Sequence, residues 1–196
     1  MQKLLLPALA GFAVAFAINF LMSFAASAAG EKPDQVGLFV GIAAGGLTAL
    51  VLFNLSGNRK TTTADAGAKQ RALAFTPTPG KAALYLVRTG FVGKMAGMNL
   101  AIDRRDVAQL KSPRFTRIDI APGGHTLTAS FGGGLAGQTK PSDLAFTCAD
   151  GEIVVMKLSM SMGVVQNPAK IERSSADAVR GELAGMQMTA PDLAAV

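Results

Sequence analysis

The chain has 196 residues, 49% of them hydrophobic, with one cysteine, one histidine and a net charge of +6. A single cysteine excludes an intramolecular disulfide and a thiolate metal cluster. Residues 82–196 hold twelve basic and ten acidic residues, so the basic excess lies upstream, mainly in residues 57–81. A folded domain near +2 lacks the electrostatic footprint of a polyanion-binding protein, and we expect no nucleic-acid partner.

Two uncharged apolar runs open the chain. They extend from Leu4 to Ala29 and from Val36 to Gly57, with a short polar turn between them. As helices they are about 39 Å and 33 Å long, and a bilayer core is about 30 Å thick. The sequence therefore predicts a transmembrane hairpin over residues 1–57, with helices at about 4–29 and 36–56.

The first run also has features of a cleaved signal peptide. Lys3 gives it a basic start, and Ala26-Ser27-Ala28 resembles a cleavage site. Signal peptides, however, have apolar regions of about 7–15 residues, and this run is far longer. The length favours an uncleaved helix.

Glycines recur every four residues in the second run, at Gly37, Gly41 and Gly45. Such a ridge of small residues lets helix backbones approach closely in lipid. Two interpretations follow. The ridge either closes the hairpin or docks the hairpin onto another membrane protein, including a second copy of this chain.

Residues 58–80 are polar, end in two prolines, and predict a basic linker. Its Arg59, Lys60, Lys69 and Arg71 follow the second helix, and the connecting turn has only Lys32. The positive-inside rule then predicts a two-pass protein of the bacterial inner (cytoplasmic) membrane with both termini cytoplasmic. The alternative is a periplasmic C-terminal domain. The four basic residues are candidates for contact with anionic headgroups of the membrane lipid.

Beyond the linker, apolar residues alternate with polar ones, as in half-buried strands. The alternation is clear at 98–102, 116–120, 127–131 and 144–148, and residues 82–87 and 153–160 are more continuously apolar. This spacing predicts a mainly β domain over 81–196, an antiparallel β-sandwich of about seven strands. One C-terminal helix follows, capped by Ser174 or Ser175, with Val179, Leu183 and Met186 on one stripe.

The only histidine follows the turn Pro122-Gly123-Gly124. Pro122 and Gly123 suit a type II turn, which makes His125 the first residue of the next strand. We expect its ring to cap the core and bond a nearby carbonyl. The nearest acid by this reasoning, Asp119, has the wrong parity for a metal site. The sequence provides no candidate catalytic, cofactor-binding or metal-ligating residue, and Pro122, Gly123, Gly124 and His125 are predicted as a structural turn.

Several segments together resemble the bacterial domain of unknown function 2846, whose fold is similar to PEGA and transthyretin-like sandwiches. They are AALYLVR (82–88), MNLAIDRRDVAQL (98–110), FTRIDIAPGGHTLTAS (115–130), DGEIVVMKLSM (150–160) and IERSSADAVRGELAG (171–185). The resemblance covers about residues 82–186 and implies a β-sandwich. It implies no reaction, and its most specific mark is the turn before His125.

These observations predict a membrane-anchored, non-enzymatic binding or scaffold protein without a cofactor, acting as an accessory subunit of a membrane protein assembly. Its partners would be membrane lipid and another membrane protein, or a second copy bound through the hairpin. The alternative is a ligand-, lipid- or metal-sensing sandwich at the bacterial envelope.

Overall fold

A computed structural model describes residues 2–30, 32, 35–134, 139–161 and 168–193 of the chain. The chain divides into two compact units, Met1–Ser56 and Gly57–Val196. The first is helical and the second is mostly sheet. This division agrees with the predicted fold class, two apolar helices followed by a β-rich domain.

The first unit is a pair of packed helices, α1 (Gln2–Ala28) and α2 (Gln35–Leu55). The glycine ridge of α2 faces α1. A Cβ on Gly41 would lie 2.8 Å from the Ala15 carbonyl oxygen, and one on Gly37 would lie 2.9 Å from the Met22 Cβ. A Cβ on Gly45 would lie 2.7 Å from the Ala15 Cβ. The ridge therefore closes the hairpin, the first of the two interpretations given above.

The other faces of both helices carry exposed apolar side chains. On α1, Phe12, Phe16, Phe20 and Phe24 form a stacked series with ring centroids 6.4–6.5 Å apart. All four rings are more than half exposed. Leu5–Ala28 and Gln35–Leu55 are long and apolar enough to cross a membrane, and little of either is buried within the protein.

The second unit contains nine strands among its described residues. They are β1 (Ala82–Arg88), β2 (Met98–Ile102), β3 (Arg105–Leu110), β4 (Arg114–Ile120), β5 (Gly123–Phe131), β6 (Ser142–Cys148), β7 (Ile153–Met160), β8 (Ala169–Ser174) and β9 (Gln187–Met188). They form a five-stranded sheet in the order β8-β7-β1-β4-β9 and a four-stranded sheet in the order β3-β2-β5-β6.

The sandwich contains both parallel and antiparallel pairs, whereas the sequence predicted a purely antiparallel one. β1 runs parallel to β7, and β4 runs parallel to β9. The chain leaves the first sheet after β4, builds the β5–β6 hairpin of the other, and returns beside β1. Parallel pairing needs such a long crossover, and local alternation does not reveal it.

Every residue of β1 is buried, because this central strand is covered on both faces. One face meets the second sheet. Two helices, α3 (Ala66–Leu73) and α4 (Ala176–Gly185), contribute to a core on the other face. Tyr85 donates a hydrogen bond to the Ala72 carbonyl (2.6 Å) and stacks on Phe75 at 4.7 Å. This unit thus has three layers.

The segment 58–80, expected to be a linker, is therefore part of the folded domain. Asp65 caps α3 by accepting a hydrogen bond from the Ala68 backbone N–H. Ala72 and Phe75 are buried against the sheet. Two apolar anchors in a polar stretch are too few for a periodic pattern, which is why composition alone suggested a linker.

The C-terminal helix follows the prediction closely. Ser175 is its N-cap and accepts a hydrogen bond from the Ala178 N–H. Val179 and Leu183 are fully buried, and Met186 is buried just after the helix. The helix ends well before Pro191.

The connection between β2 and β3 is a two-residue turn. Asp103 and Arg104, with φ of 49° and 67°, form the two-residue connection between β2 and β3. Arg105 and Asp106 already belong to β3. Two-residue hairpins favour positive φ at both central positions, usually with asparagine or glycine, so the Asp-Arg pair gave only a weak signal.

Substituting Gly45 by Val should separate the two helices, since its Cβ would meet the Gly11 carbonyl oxygen and the Ala15 Cβ. Overpacking of this kind costs about 1–3 kcal/mol. Spin labels at Leu5→Cys and Leu52→Cys, in a Cys148→Ala background, would show a broadened distance distribution. Gly46→Val is the matched control, because a Cβ there meets nothing within 4 Å. An unchanged distribution in Gly45→Val would contradict the close packing.

Phe75→Ala should destabilise the sheet unit by about 3–5 kcal/mol, the usual cost of removing a buried aromatic ring. The exposed neighbour Thr76, changed to Ala, is the control and should have almost no effect. Denaturant unfolding of the full chain measures the loss of stability in both variants, and amide exchange is followed in α3. A true linker would give equally small effects for the two variants.

Candidate functional site: a groove beside His125

A groove of about 690 Å³ opens where the edge strand of each sheet faces the other, near the start of β5. Its walls come from β5 and β6 on one side and from β7 and β8 on the other. The lining residues are Asp103, Gly124, His125, Thr126, Leu144, Ala145, Phe146, Thr147, Met156, Ile171 and Arg173. Clefts of about 300–1,000 Å³ are the size at which proteins hold small ligands.

His125 lies at the mouth of this groove, bonded through both ring nitrogens. Nδ1 is 2.7 Å from Asp103 Oδ2, and Nε2 is 2.8 Å from the Ala121 carbonyl oxygen. The carbonyl and the carboxylate are both hydrogen-bond acceptors. The ring therefore donates both bonds only when both of its nitrogens are protonated. The ring also lies 5.8 Å from that of Phe146. It therefore caps the core and bonds a nearby carbonyl, as the sequence predicted.

Asp103 is positioned by the β2–β3 turn. Its Oδ1 accepts the Thr126 backbone N–H at 2.8 Å, and its Oδ2 faces His125. The bond to His125, and then the bond from Thr126, hold the pKa of Asp103 below its ordinary value. For His125, partial burial lowers the pKa, but the bonds to Asp103 and Ala121 outweigh this and leave it above 6.5. Both shifts favour the charged forms, so Asp103 and His125 form an ion pair at pH values below the raised pKa of His125.

Cys148 donates its thiol to the same carbonyl, with Sγ 3.3 Å from the Ala121 oxygen. Asp103, His125 and Cys148 thus meet around one turn, a set of residue types that cysteine enzymes use. A nucleophilic cysteine needs a depressed pKa. Here burial, the largest effect, raises the pKa of the Cys148 thiol. Nε2 directs its proton at the carbonyl, so the trio orders the turn and does not form an activated nucleophile.

The interior of the groove is mostly apolar, with Leu144, Phe146, Met156 and Ile171 among its walls. At its rim Arg173 pairs with Glu152 at 2.6 Å. Apolar walls with a few charged groups at the edge are typical of sites that hold small ligands or apolar segments.

The residues of the predicted turn lie together at this mouth. Gly123 has φ of 138°, a conformation suited to glycine. It is already paired with Cys148 in the ladder, so β5 begins there and His125 is its third residue. Gly124 lines the groove, and Pro122 precedes the strand.

The predicted basic residues differ in their surroundings. Arg59 pairs with Asp192 at 2.9 Å, and Lys69 donates to the Ala184 carbonyl at 2.9 Å. Lys60 and Arg71 are exposed. Gly37, Gly41 and Gly45 belong to the helical unit and take no part in the groove.

The sequence did not identify three residues around His125: Asp103 and Arg173, which line the groove, and Cys148, which bonds the Ala121 carbonyl. Asp103 lies in a two-residue hairpin turn, and its carboxylate reaches the neighbouring strand β5. Cys148 and Arg173 were not linked to His125, because strand pairing between distant segments joins them. Among the residues that the structure describes, no group of three or more His, Cys, Asp or Glu side chains is arranged to hold a metal ion.

His125 should titrate above 6.5, and Asp103→Asn should bring its pKa down. It is the only histidine, so one resonance in an NMR titration reports it. Because folding raises the pKa of His125, its ion pair with Asp103 stabilises the folded protein fully below about pH 6.5. This stabilisation is lost as the pH rises through the pKa that His125 has in the folded protein. Its size is at most about 1 kcal/mol, since Asp103 is exposed. Equal pKa values in wild type and Asp103→Asn would refute the ion pair.

Comparison of the chain with protein-family models gives no match, and comparison with curated proteins gives no significant match. The resemblance to the domain of unknown function 2846 therefore stays a prediction.

Proposed function

We propose that the protein is a membrane-anchored, non-enzymatic binding or scaffold protein, an accessory subunit of a membrane protein assembly. One observation carries the proposal above all. The helical hairpin turns apolar side chains outward on nearly every face, and it is joined to a folded domain with an open, mostly apolar groove.

The hairpin is the anchor in this proposal. Its glycine ridge is used between its own helices, so a further membrane subunit, or a second copy, would contact other faces. The phenylalanine series of α1 is such a face, with rings already aligned for close packing against a neighbour. Membrane helices associate through packing of this kind and not through hydrophobicity.

Orientation follows from charge. Arg59, Lys60, Lys69 and Arg71 come soon after α2, and basic residues near a membrane span are retained on the cytoplasmic side. We therefore place the sheet domain at the cytoplasmic face of a bacterial inner membrane. Protease or thiol-reagent access to this domain in sealed vesicles of known sidedness distinguishes this from the periplasmic alternative.

The groove is the partner-binding surface in this proposal. Among the described residues, β6 ends the four-stranded sheet and β8 ends the five-stranded sheet, so the groove is bordered by edge strands. Edge strands offer unpaired backbone groups that recognise extended peptides, while adjacent pockets take alternate side chains. An extended segment with apolar side chains fits the groove. We also propose that residues 82–186 are a relative of the domain of unknown function 2846.

Affinity capture of the full chain in mild detergent tests the proposal. Wild type should retain a stoichiometric partner, and Ile171→Asp, which places a charge in the groove, should lose it at least tenfold. Lys170→Asp is the control, because the exposed Lys170 is not among the groove residues and its surface pair with Glu172 contributes little. A chain that purifies alone and monodisperse would contradict the assembly role.

The alternative of a sensor domain rests on the volume of the groove. A lipid or other apolar small molecule bound there would raise the melting temperature by mass action. A thermal-shift series across lipids, metals and nucleotides separates this alternative from protein binding, and Ile171→Asp should abolish any shift.

A further inference from the structure

The connection between β1 and β2, residues 89–97, presents an apolar and basic tip. Phe91 is 84% exposed and Met95 is 64% exposed. In the described part of the sheet unit, the other exposed large apolar side chain is Leu193, which is only 40% exposed. The exposure of two large apolar side chains on one loop requires an explanation.

This loop is held rigidly in spite of its exposed side chains. Arg88, only 1% exposed at the end of β1, donates to the carbonyls of Gly93 (2.7 Å), Ala96 (2.5 Å) and Leu110. Its guanidinium also lies 5.1 Å from the Phe131 ring centroid. Burial lowers the pKa of Arg88 to about 10, so the side chain stays protonated at neutral pH. A buried cation is thus used to fix the loop backbone.

Further bonds fix the same loop from outside. The Ser112 hydroxyl donates to the Gly90 carbonyl at 2.7 Å, and the Ser112 N–H donates to the Lys94 carbonyl at 3.2 Å. Phe91 and Met95 are therefore exposed by a preorganised backbone and not by a loose one. Preorganisation of this kind lowers the entropic cost of binding.

Basic side chains surround the tip. The Lys94 ammonium lies 5.5 Å from the Phe91 ring centroid. Beside it a pocket of about 320 Å³ is lined by Lys94, Met95, Lys111, Ser112, Pro113, Arg114 and Gln187. The lining includes three basic residues and no acidic one. Aromatic and basic residues together are typical of surfaces that lie at the membrane interface, where the ring enters the headgroup layer and the cations meet phosphates.

The 89–97 loop is bonded to the chain segment that follows α2. The Asn58 side chain donates to the Met95 carbonyl at 3.0 Å and accepts the Gly97 N–H at 2.6 Å. Asn58 is only three residues beyond Leu55, the last residue of α2. Three residues reach at most about 11 Å, and the headgroup layer on each side of the hydrocarbon core is about 5–8 Å thick.

We propose that the 89–97 loop is a lipid-contacting surface, with Phe91 and Met95 in the interface and Lys94, Lys111 and Arg114 on the phosphates of anionic lipids. The inference rests on the proposed insertion of the hairpin in a membrane, and it specifies which part of the sheet domain meets that membrane. Lipid contact at this loop would leave the His125 groove facing a partner, because the two lie at opposite ends of β2.

Depth-dependent fluorescence quenching in vesicles tests the inference on the full chain. An environment-sensitive dye is attached at Met95→Cys in a Cys148→Ala background, and nitroxide-labelled lipids act as the quencher. The control position is Asp150→Cys, since the turn before β7 lies at the other end of β1, about 20 Å away. In vesicles of phosphatidylserine and phosphatidylcholine, quenching at position 95 should exceed that at position 150 at least threefold.

A second experiment reverses the charge of two basic residues beside the tip. Lys94→Glu with Lys111→Glu should reduce the quenching at position 95 at least twofold, as should vesicles of phosphatidylcholine alone. Lys81→Glu, at the far end of β1, is the matched control and should leave the quenching at position 95 unchanged. Vesicle flotation is recorded for every sample. Flotation with equal quenching at both positions, or without dependence on lipid charge, overturns the inference alone, whereas failure to float overturns the proposed anchor as well.

Discussion

The apolar surface of the α1–α2 pair sets the conditions for the rest of the molecule. Two helices that bury only a narrow glycine ridge against each other leave their phenylalanine, leucine and valine side chains exposed. An apolar surface of this extent is unfavourable in water at about 25 cal/mol per Å², and lipid removes that penalty. The exposed apolar faces of the hairpin are thus consistent with a membrane anchor.

Within the sheet domain, the central strand β1 links the two ends at which function is proposed. Its side chains are buried on both faces, one against the second sheet and the other against a core that includes α3 and α4. Arg88 at its end fixes the 89–97 loop, and the neighbouring β2 leads from that loop to Asp103 and the His125 turn. The sandwich therefore separates a basic, apolar tip from an open groove.

Periodicity in the sequence predicted the parts of the fold that depend on neighbouring residues. The two apolar runs became helices within two residues of their expected ends, and the alternating segments became strands. Periodicity did not predict the parallel pairing of β1 with β7, because that pairing joins residues some seventy positions apart. The docking of α3 was missed because the polar segment around it has only two buried apolar anchors, Ala72 in α3 and Phe75 just after it. His125 was correctly placed as a core-capping residue, but its partner Asp103 depends on the register between strands, which sequence spacing alone does not fix.

The most direct measurement of the central claim is the distribution of the untagged full chain after cell breakage, before and after alkaline carbonate extraction. A hairpin held in lipid keeps the protein in the membrane pellet through carbonate and releases it only with detergent. Recovery of intact, full-length protein in the aqueous supernatant without detergent would contradict the account, since the exposed faces of α1 and α2 would then need another explanation.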